Sequence, residues 1–393
     1  MMQSSLNIMT YLRSDVFYIA IDILVFILFI SYSIARKESL VFFLVTLFLI
    51  SIKLLIFVGL RPFDAGNDTI HYYYTFQSLR SISGARDVGI QDYGNSELLY
   101  WPVAAFFKSI ISSDFQWYLI FSIFFSAYLV YKGNKMAIAT IECDRTQWQK
   151  VALALLFTYM VFLSFEIAYF GGHIRSAFGV PFAFIAYICA VNKKFWATIL
   201  FFAISISLHN SAISVAPLLM IEIFKINLNA SKKMTFAIVI AFLVAFLIGK
   251  YEGLQGIMQL AGSFYSQRYT DYYEYTNFNI TSVFTTGYFF IIVIHLLIFL
   301  AIGYGRLHFY VFYYFFLVLL FSATPKVSER YFAYILIFLP FLLYNSLRSR
   351  FRESNALVMT ISVCFLAGLL TITSYGVTST LSIYSFLFPN RGG

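Results

Sequence analysis

The stretch VALALLFTYMVFLSFEIAYFGGHIRSAFGVPFAFIAYICAV, Val151 to Val191, decides the fold class. Its first 20 residues, Val151 to Phe170, hold one charge, Glu166. A helix needs about 20 mostly apolar residues to cross the hydrocarbon core of a bilayer. Five residues, Gly171 to Arg175, then intervene before a second apolar run, Ser176 to Val191. Lipid offers no partner for a backbone N–H or C=O, so an apolar run in it must satisfy its own backbone as a helix. The stretch therefore reads as two membrane crossings joined by a very short turn. A β-barrel is excluded, because its strands are shorter and alternate in polarity, which these runs do not.

Similar runs extend in both directions: Phe17 to Ala35, Leu40 to Leu60 and Phe115 to Tyr131 before it, and Thr235 to Gly249, Tyr288 to Tyr304, His308 to Phe321, Tyr331 to Leu347 and Ala356 to Tyr375 after it. Between them, Phe195 to Leu208 and Ser211 to Phe224 are only 14 residues each and flank His209 and Asn210. They are either two short spans or a broken pair. The expected fold is an all-α polytopic membrane protein, one transmembrane domain over residues 1–393 with about 12 transmembrane helices. Composition agrees: 61% of residues are hydrophobic and 11% charged, and a mean hydropathy of +0.80 leaves too little polar surface for a water-soluble globule. The first run follows Arg13 and Asp15 without a small-residue cleavage site, so it reads as an uncleaved span. Cys143, Cys189 and Cys364 fall in an inner loop or inside spans, so neither a disulfide nor a zinc site is expected.

Short loops rich in Lys and Arg stay cytoplasmic. Here they alternate cleanly. Arg36 and Lys37; Lys132, Lys135, Arg145 and Lys150; Lys193 and Lys194; Lys225, Lys232 and Lys233; Arg306; and Arg348, Arg350 and Arg352 occupy one set of connections and account for over half of the 27 basic residues. The other set contains two long loops, 61–98 and 250–286, and the short turns at Gly171 to Arg175 and Thr324 to Arg330. These are the outer loops, and both termini lie on their side. The net charge of +9 is then a topological signal and does not call for nucleic acid. Asp22 and Lys53 lie at similar depth in the first two spans and are expected to face one another as a buried pair.

The outer loops differ chemically from the inner ones. Arg13, Arg61, Arg80, Arg86, Arg175, Arg268, Arg330 and Arg391 stand there against only Lys250 and Lys326. Topology would accept lysine equally, whereas a planar guanidinium suits two-point gripping of an oxyanion. The first long loop opens Arg61-Pro62-Phe63-Asp64-Ala65-Gly66-Asn67-Asp68-Thr69-Ile70-His71-Tyr72. Pro62 and Gly66 fix a turn, and Asn67 and Asp68 fit the cap of a following helix that carries His71, Tyr72 and Phe76. Its carboxylates and histidine match no metal-ligand spacing, and no metal is expected. Gly171-Gly172-His173-Ile174-Arg175 holds its charges in a short rigid turn, where Arg175 is either a fixed anion clamp or a snorkelling side chain. His209, beside Asn210 and Ser211 at the interruption, sits where a broken helix brings backbone and substrate together. Tyr72 to Tyr74 and the second loop around Arg268 add aromatic faces that suit either an interfacial belt or sugar rings.

Four pieces, in this order and topology, resemble the Wzy-type polymerases of bacterial O-antigen and exopolysaccharide, in their EpsG-like branch. They are the loop Arg61 to Tyr74, with an Arg, then Gly66-Asn67-Asp68, then a Tyr; Ile174-Arg175-Ser176-Ala177; Leu208-His209-Asn210-Ser211-Ala212; and Glu329-Arg330-Tyr331 opening a late span. The resemblance covers most of the chain. It implies a GT-C-like enzyme of the bacterial inner membrane that uses neither metal nor cofactor and works at the periplasmic face. A growing glycan would leave undecaprenyl diphosphate, with inversion or retention, and join the non-reducing end of the next lipid-linked repeat unit. A chain-length regulator and a flippase are the partners implied, besides membrane lipid. The spaced Arg and Gly pattern of some other Wzy branches is missing, so their residue roles do not carry over.

A diphosphate leaving group needs cationic stabilisation as its charge develops. Arg61, Arg175 and Arg330 are the outer arginines nearest the membrane surface and form the expected clamp, with His173, Tyr72 and Arg268 as further substrate contacts. The acceptor hydroxyl needs a base, for which His209 comes first, Asp68 second and Glu166 third. Two alternatives share the lipid-linked substrate. A flippase would show two related halves and charge along its helices, whereas no internal repeat is visible and the charge gathers at one face. An O-antigen ligase would use the same donor with another acceptor.

Overall fold

The computed structural model describes residues 15–35, 40–55, 67–85, 98–141, 146–172, 174–226, 306–321, 339–348 and 351–366, with isolated positions at 240–241, 244–245, 331, 333–335 and 337. Every regular element among the described residues is helical. In chain order these are α1 (Asp15–Ala35), α2 (Leu40–Leu54), α3 (Asn67–Ser78), α4 (Tyr100–Ile110), α5 (Phe115–Ile141), α6 (Gln147–Gly172) and α7 (Ile174–Val191). They are followed by α8 (Phe195–Leu208), a 3-10 segment (Asn210–Val215), α9 (Ala216–Ile223), α10 (Arg306–Leu320) and α11 (Leu339–Arg348). Among the described residues no helix is long and apolar enough to cross a membrane. The expectation of about 12 crossings thus rests on the sequence pattern.

Helix α7 is the axis on which the rest is assembled: it packs on α5, α6, α8, α9 and the 3-10 segment. Its apolar residues run all round rather than along one stripe, which is the pattern of a helix buried on every side. Val180, Ala183, Phe184, Ala186 and Ile188 are completely or almost completely enclosed. Close approach has a visible cause at Gly133 of α5, where an added Cβ would lie 2.5 Å from Phe184 Cδ1.

The two N-terminal helices are tied to this core by charge. Lys53 Nζ donates to Asp22 Oδ1 at 2.5 Å, and the Tyr159 hydroxyl of α6 donates to the same oxygen. All three residues are buried. The pairing expected from their depth is therefore present, with a phenol added that satisfies the carboxylate from the core side. On the other side α1 and α2 leave Ile23, Leu24, Ile27, Val41, Leu44 and Phe48 exposed. A face that apolar is costly in water and costs nothing against acyl chains.

The reading of the sequence assigned no element between residue 98 and Phe115, and α4 lies there. It packs on α3 and α5 through a second aromatic core that includes Tyr72, Phe76, Tyr100, Trp101, Phe107, Phe115, Tyr118 and Phe178. Lys108 of α4 reaches back and donates to the carbonyl oxygens of Phe76, Gln77 and Leu79 at 3.0, 2.7 and 2.9 Å. Phe76 and Gln77 lie in the last turn of α3 and Leu79 just beyond it, and Phe76 O also takes the Leu79 N–H at 3.3 Å, so the lysine caps this end from outside.

Candidate functional site

His209 is the single extended residue between two helical segments, with φ −157° and ψ 121°. Helix α8 ends at Leu208, the 3-10 segment begins at Asn210, and Pro217 opens α9, where a missing N–H costs nothing. The interruption read at His209 is thus a local change of backbone, held by His209 N–H to Ser205 O at 2.9 Å and Ala212 N–H to His209 O at 3.1 Å. The side chain is 4% exposed, and its Nε2 lies 2.9 Å from Ser176 Oγ on α7.

Ser176 follows Arg175 in the first turn of α7. Arg175 Nε donates to Tyr72 Oη at 2.8 Å, and the guanidinium carbon lies 5.3 Å from the Tyr72 ring centroid. Tyr72 is 2% exposed. Behind it stand Tyr100 and Trp101, with ring centroids 6.0 and 6.1 Å away. Burial pushes the Tyr100 phenol well above its ordinary value, the neighbouring phenols of Tyr118 and Tyr72 push the same way, and Arg175 opposes them. Tyr100 packs behind Tyr72 in the second aromatic core.

Two consecutive residues of one helix thus bind two different parts of the protein. Arg175 is fixed from α3 through Tyr72, and Ser176 is bonded to the interruption through His209. Leu99, next to α4, donates its N–H to Ser207 O at 2.8 Å and joins the same two parts directly. On its far side the 3-10 segment is held by hydroxyls: Ser211 Oγ lies 2.9 Å from Tyr334 Oη and Ser214 Oγ 3.1 Å from Tyr314 Oη. Those two tyrosines stack at 4.5 Å with an interplanar angle of 6°.

Of the residues singled out in the sequence, the structure joins Arg175 to Tyr72 and holds His209 against Ser176, the residue after Arg175. His71 is exposed on α3 beside buried Tyr72. Asp68 lies in the first turn of α3 and Glu166 near the end of α6, and their side chains are outside the described residues. Arg61, His173, Arg268 and Arg330 lie outside them altogether. Ser176, Tyr334 and Tyr314 were not singled out, although Ser176 stood inside the quoted Arg175 motif. Its position next to that arginine was the available signal.

Against known proteins, the model of one family, described as the EpsG family, matches residues 41–388. No curated protein and no solved structure matches.

Proposed function

From the premise that the chain belongs to the EpsG family, we propose that it is a membrane-bound polysaccharide polymerase. It transfers a growing glycan from undecaprenyl diphosphate to the non-reducing end of the next lipid-linked repeat unit at the periplasmic face. The family supports polysaccharide biosynthesis at a membrane with a lipid-linked oligosaccharide as substrate. The observation that carries the finer reading is the placement of Arg175, anchored through Nε to Tyr72, beside the Ser176 contact to His209.

In this reaction the bond between the anomeric carbon and the diphosphate oxygen breaks, and the acceptor hydroxyl forms the new glycosidic bond. The acceptor proton goes to His209, and the bond electrons leave with the lipid diphosphate. The Nε bond to Tyr72 orients the guanidinium plane, and in this proposal that oriented plane grips the phosphate oxygens. Such a grip strengthens as charge develops on the leaving group, which is the condition for lowering a barrier. Arg61 and Arg330 complete the clamp in this proposal, with His173, Tyr72 and Arg268 as further contacts and with Asp68 and Glu166 as the next candidates for base. A flippase has no use for a base beside the arginine, and a ligase differs only in acceptor.

The reading is tested by deleting the gene in its host and examining the glycolipids. A polymerase deletion leaves lipopolysaccharide or carrier bearing one repeat unit. Loss of every repeat unit from the cell surface would instead identify the flippase or the ligase and overturn the proposal.

A further inference from the structure

We propose that Ser176 and Gly179 are positioning residues for His209, one fixing its ring and the other the depth at which its backbone sits on α7. The proposal rests on the reading of His209 as the base and deepens it. Ser176 and Gly179 are three residues apart in α7 and so share a face of the helix. That face carries His209. Ser176 Oγ lies 2.9 Å from Nε2, and both residues are 4% exposed. A Cβ built on Gly179 would lie 2.6 Å from His209 Cβ, 3.5 Å from His209 Cα and 3.4 Å from Ser205 O. The atom it would strike is His209 Cβ, the first side-chain carbon, which cannot swing aside unless the backbone moves, while His209 Cα and Ser205 O would stand in ordinary contact. Only glycine lets the interruption settle this deep.

The same glycine locks the approach from its other side. Its carbonyl accepts a hydrogen bond from Ser205 Oγ at 2.7 Å, and Ser205 O accepts the N–H of His209. Glycine is a poor helix former, so its presence within α7 needs a packing reason, and the approach of His209 supplies one. A serine hydroxyl also suits a ring that changes charge. With the acceptor proton taken at Nδ1, Nε2–H donates to the serine oxygen in both charge states, so the contact persists as the imidazole takes up a proton. A base held this way keeps one orientation through the transfer.

The test uses the full chain reconstituted in lipid with an undecaprenyl-diphosphate-linked repeat unit, and compares Ser176→Ala, Ser176→Thr and Gly179→Ala with His209→Gln. Ser176→Ala and Gly179→Ala are expected to lower kcat by about 10- to 100-fold with KM changed by less than about threefold, while Ser176→Thr, which keeps the hydroxyl, retains most of the rate. In protein carrying 15N-histidine, the His209 ring signals, assigned by their disappearance in His209→Gln, shift in both impaired variants. A merely structural defect would lower yield or stability without moving that pair of signals. Ser176→Ala adds no bulk, so it decides the matter even where Gly179→Ala fails to accumulate. Wild-type kcat in Ser176→Ala, or a lost rate with unmoved His209 signals, overturns the positioning role while an inactive His209→Gln leaves the base intact. A fully active His209→Gln would remove the base and the positioning role together.

Discussion

A guanidinium has five N–H donors in a planar fork, and at Arg175 one of them is spent on Tyr72. Lysine at this place would keep the charge and lose both the anchor and the two-point face, because an ammonium is a compact point charge on a flexible stem. Arg175→Lys is therefore expected to lose most polymerising activity at unchanged protein level, measured as polymer length distribution and rate on the lipid-linked repeat unit. Tyr72→Phe separates the two contributions. It keeps the ring 5.3 Å from the guanidinium carbon and deletes only the hydroxyl, so a loss of about tenfold, or ~1.4 kcal/mol, is expected. Normal polymer from Arg175→Lys would remove the clamp. The arginine could be picked out in the sequence because it follows two glycines and a histidine between two apolar runs, a break that the structure narrows to the junction of α6, ending at Gly172, and α7, starting at Ile174. Its anchor could not, since Tyr72 lies 103 positions away and one tyrosine among 30 carries no mark of the arginine it holds.

Helices α3 and α4 show how an element can be plain or hidden for reasons that lie outside it. Asn67 and Asp68 followed by spaced aromatics announce α3, because a capping side chain and a helical repeat are both local signals. Helix α4 has only 11 residues, no side-chain cap at Leu99 and a lone Lys108 in its last turn, so its local signals are poor. Its stability comes from burying Tyr100, Trp101 and Phe107 against α3 and α5, and contacts of that kind are absent from any window of sequence. Lys108 links the two helices, since it is the side chain of one that terminates the other. Lys108→Met keeps the aliphatic stem and removes three hydrogen bonds to carbonyls. The expected cost is about 1–2 kcal/mol, and a charge at a helix C-terminus is lost as well. Hydrogen exchange should report it as faster exchange across α3 and α4 with α7 unchanged. Activity should fall with it, because Tyr72 rides on α3. Unchanged exchange in α3 would show that the aromatic core alone holds the pair.

At the scale of the whole molecule, the balance of Lys and Arg between the two sets of loops carries information that no helix carries by itself. The pairing of Asp22 with Lys53 was readable at this scale, because two opposite charges at matching depth in an apolar setting have to meet or be paid for separately. Tyr159, the third member, was not, because a phenol in a crowded aromatic sequence is not conspicuous. Orientation follows the same logic of charge. The proposed chemistry needs Arg61, Arg175 and His209 on the face away from the cytoplasm, and the short lysine-rich connections at Lys193, Lys194 and Lys225 are expected on the cytoplasmic face. Lys193 and Lys225 take positive φ values of 59° and 54°, a conformation suited to ending a helix within a tight connection. These two facts make the topology testable with single cysteines placed in a variant whose Cys143, Cys189 and Cys364 are replaced by alanine. A cysteine at Arg86 or Tyr93, in the first long loop, should react with a membrane-impermeant maleimide in cells whose inner membrane is intact. Cysteines at Lys193 and Lys225 should react only after that membrane is opened. Reaction of Lys193→Cys in intact cells would put the arginines on the cytoplasmic side, where nucleotide-sugar chemistry takes place and a polymerase acting on flipped repeat units would find no substrate.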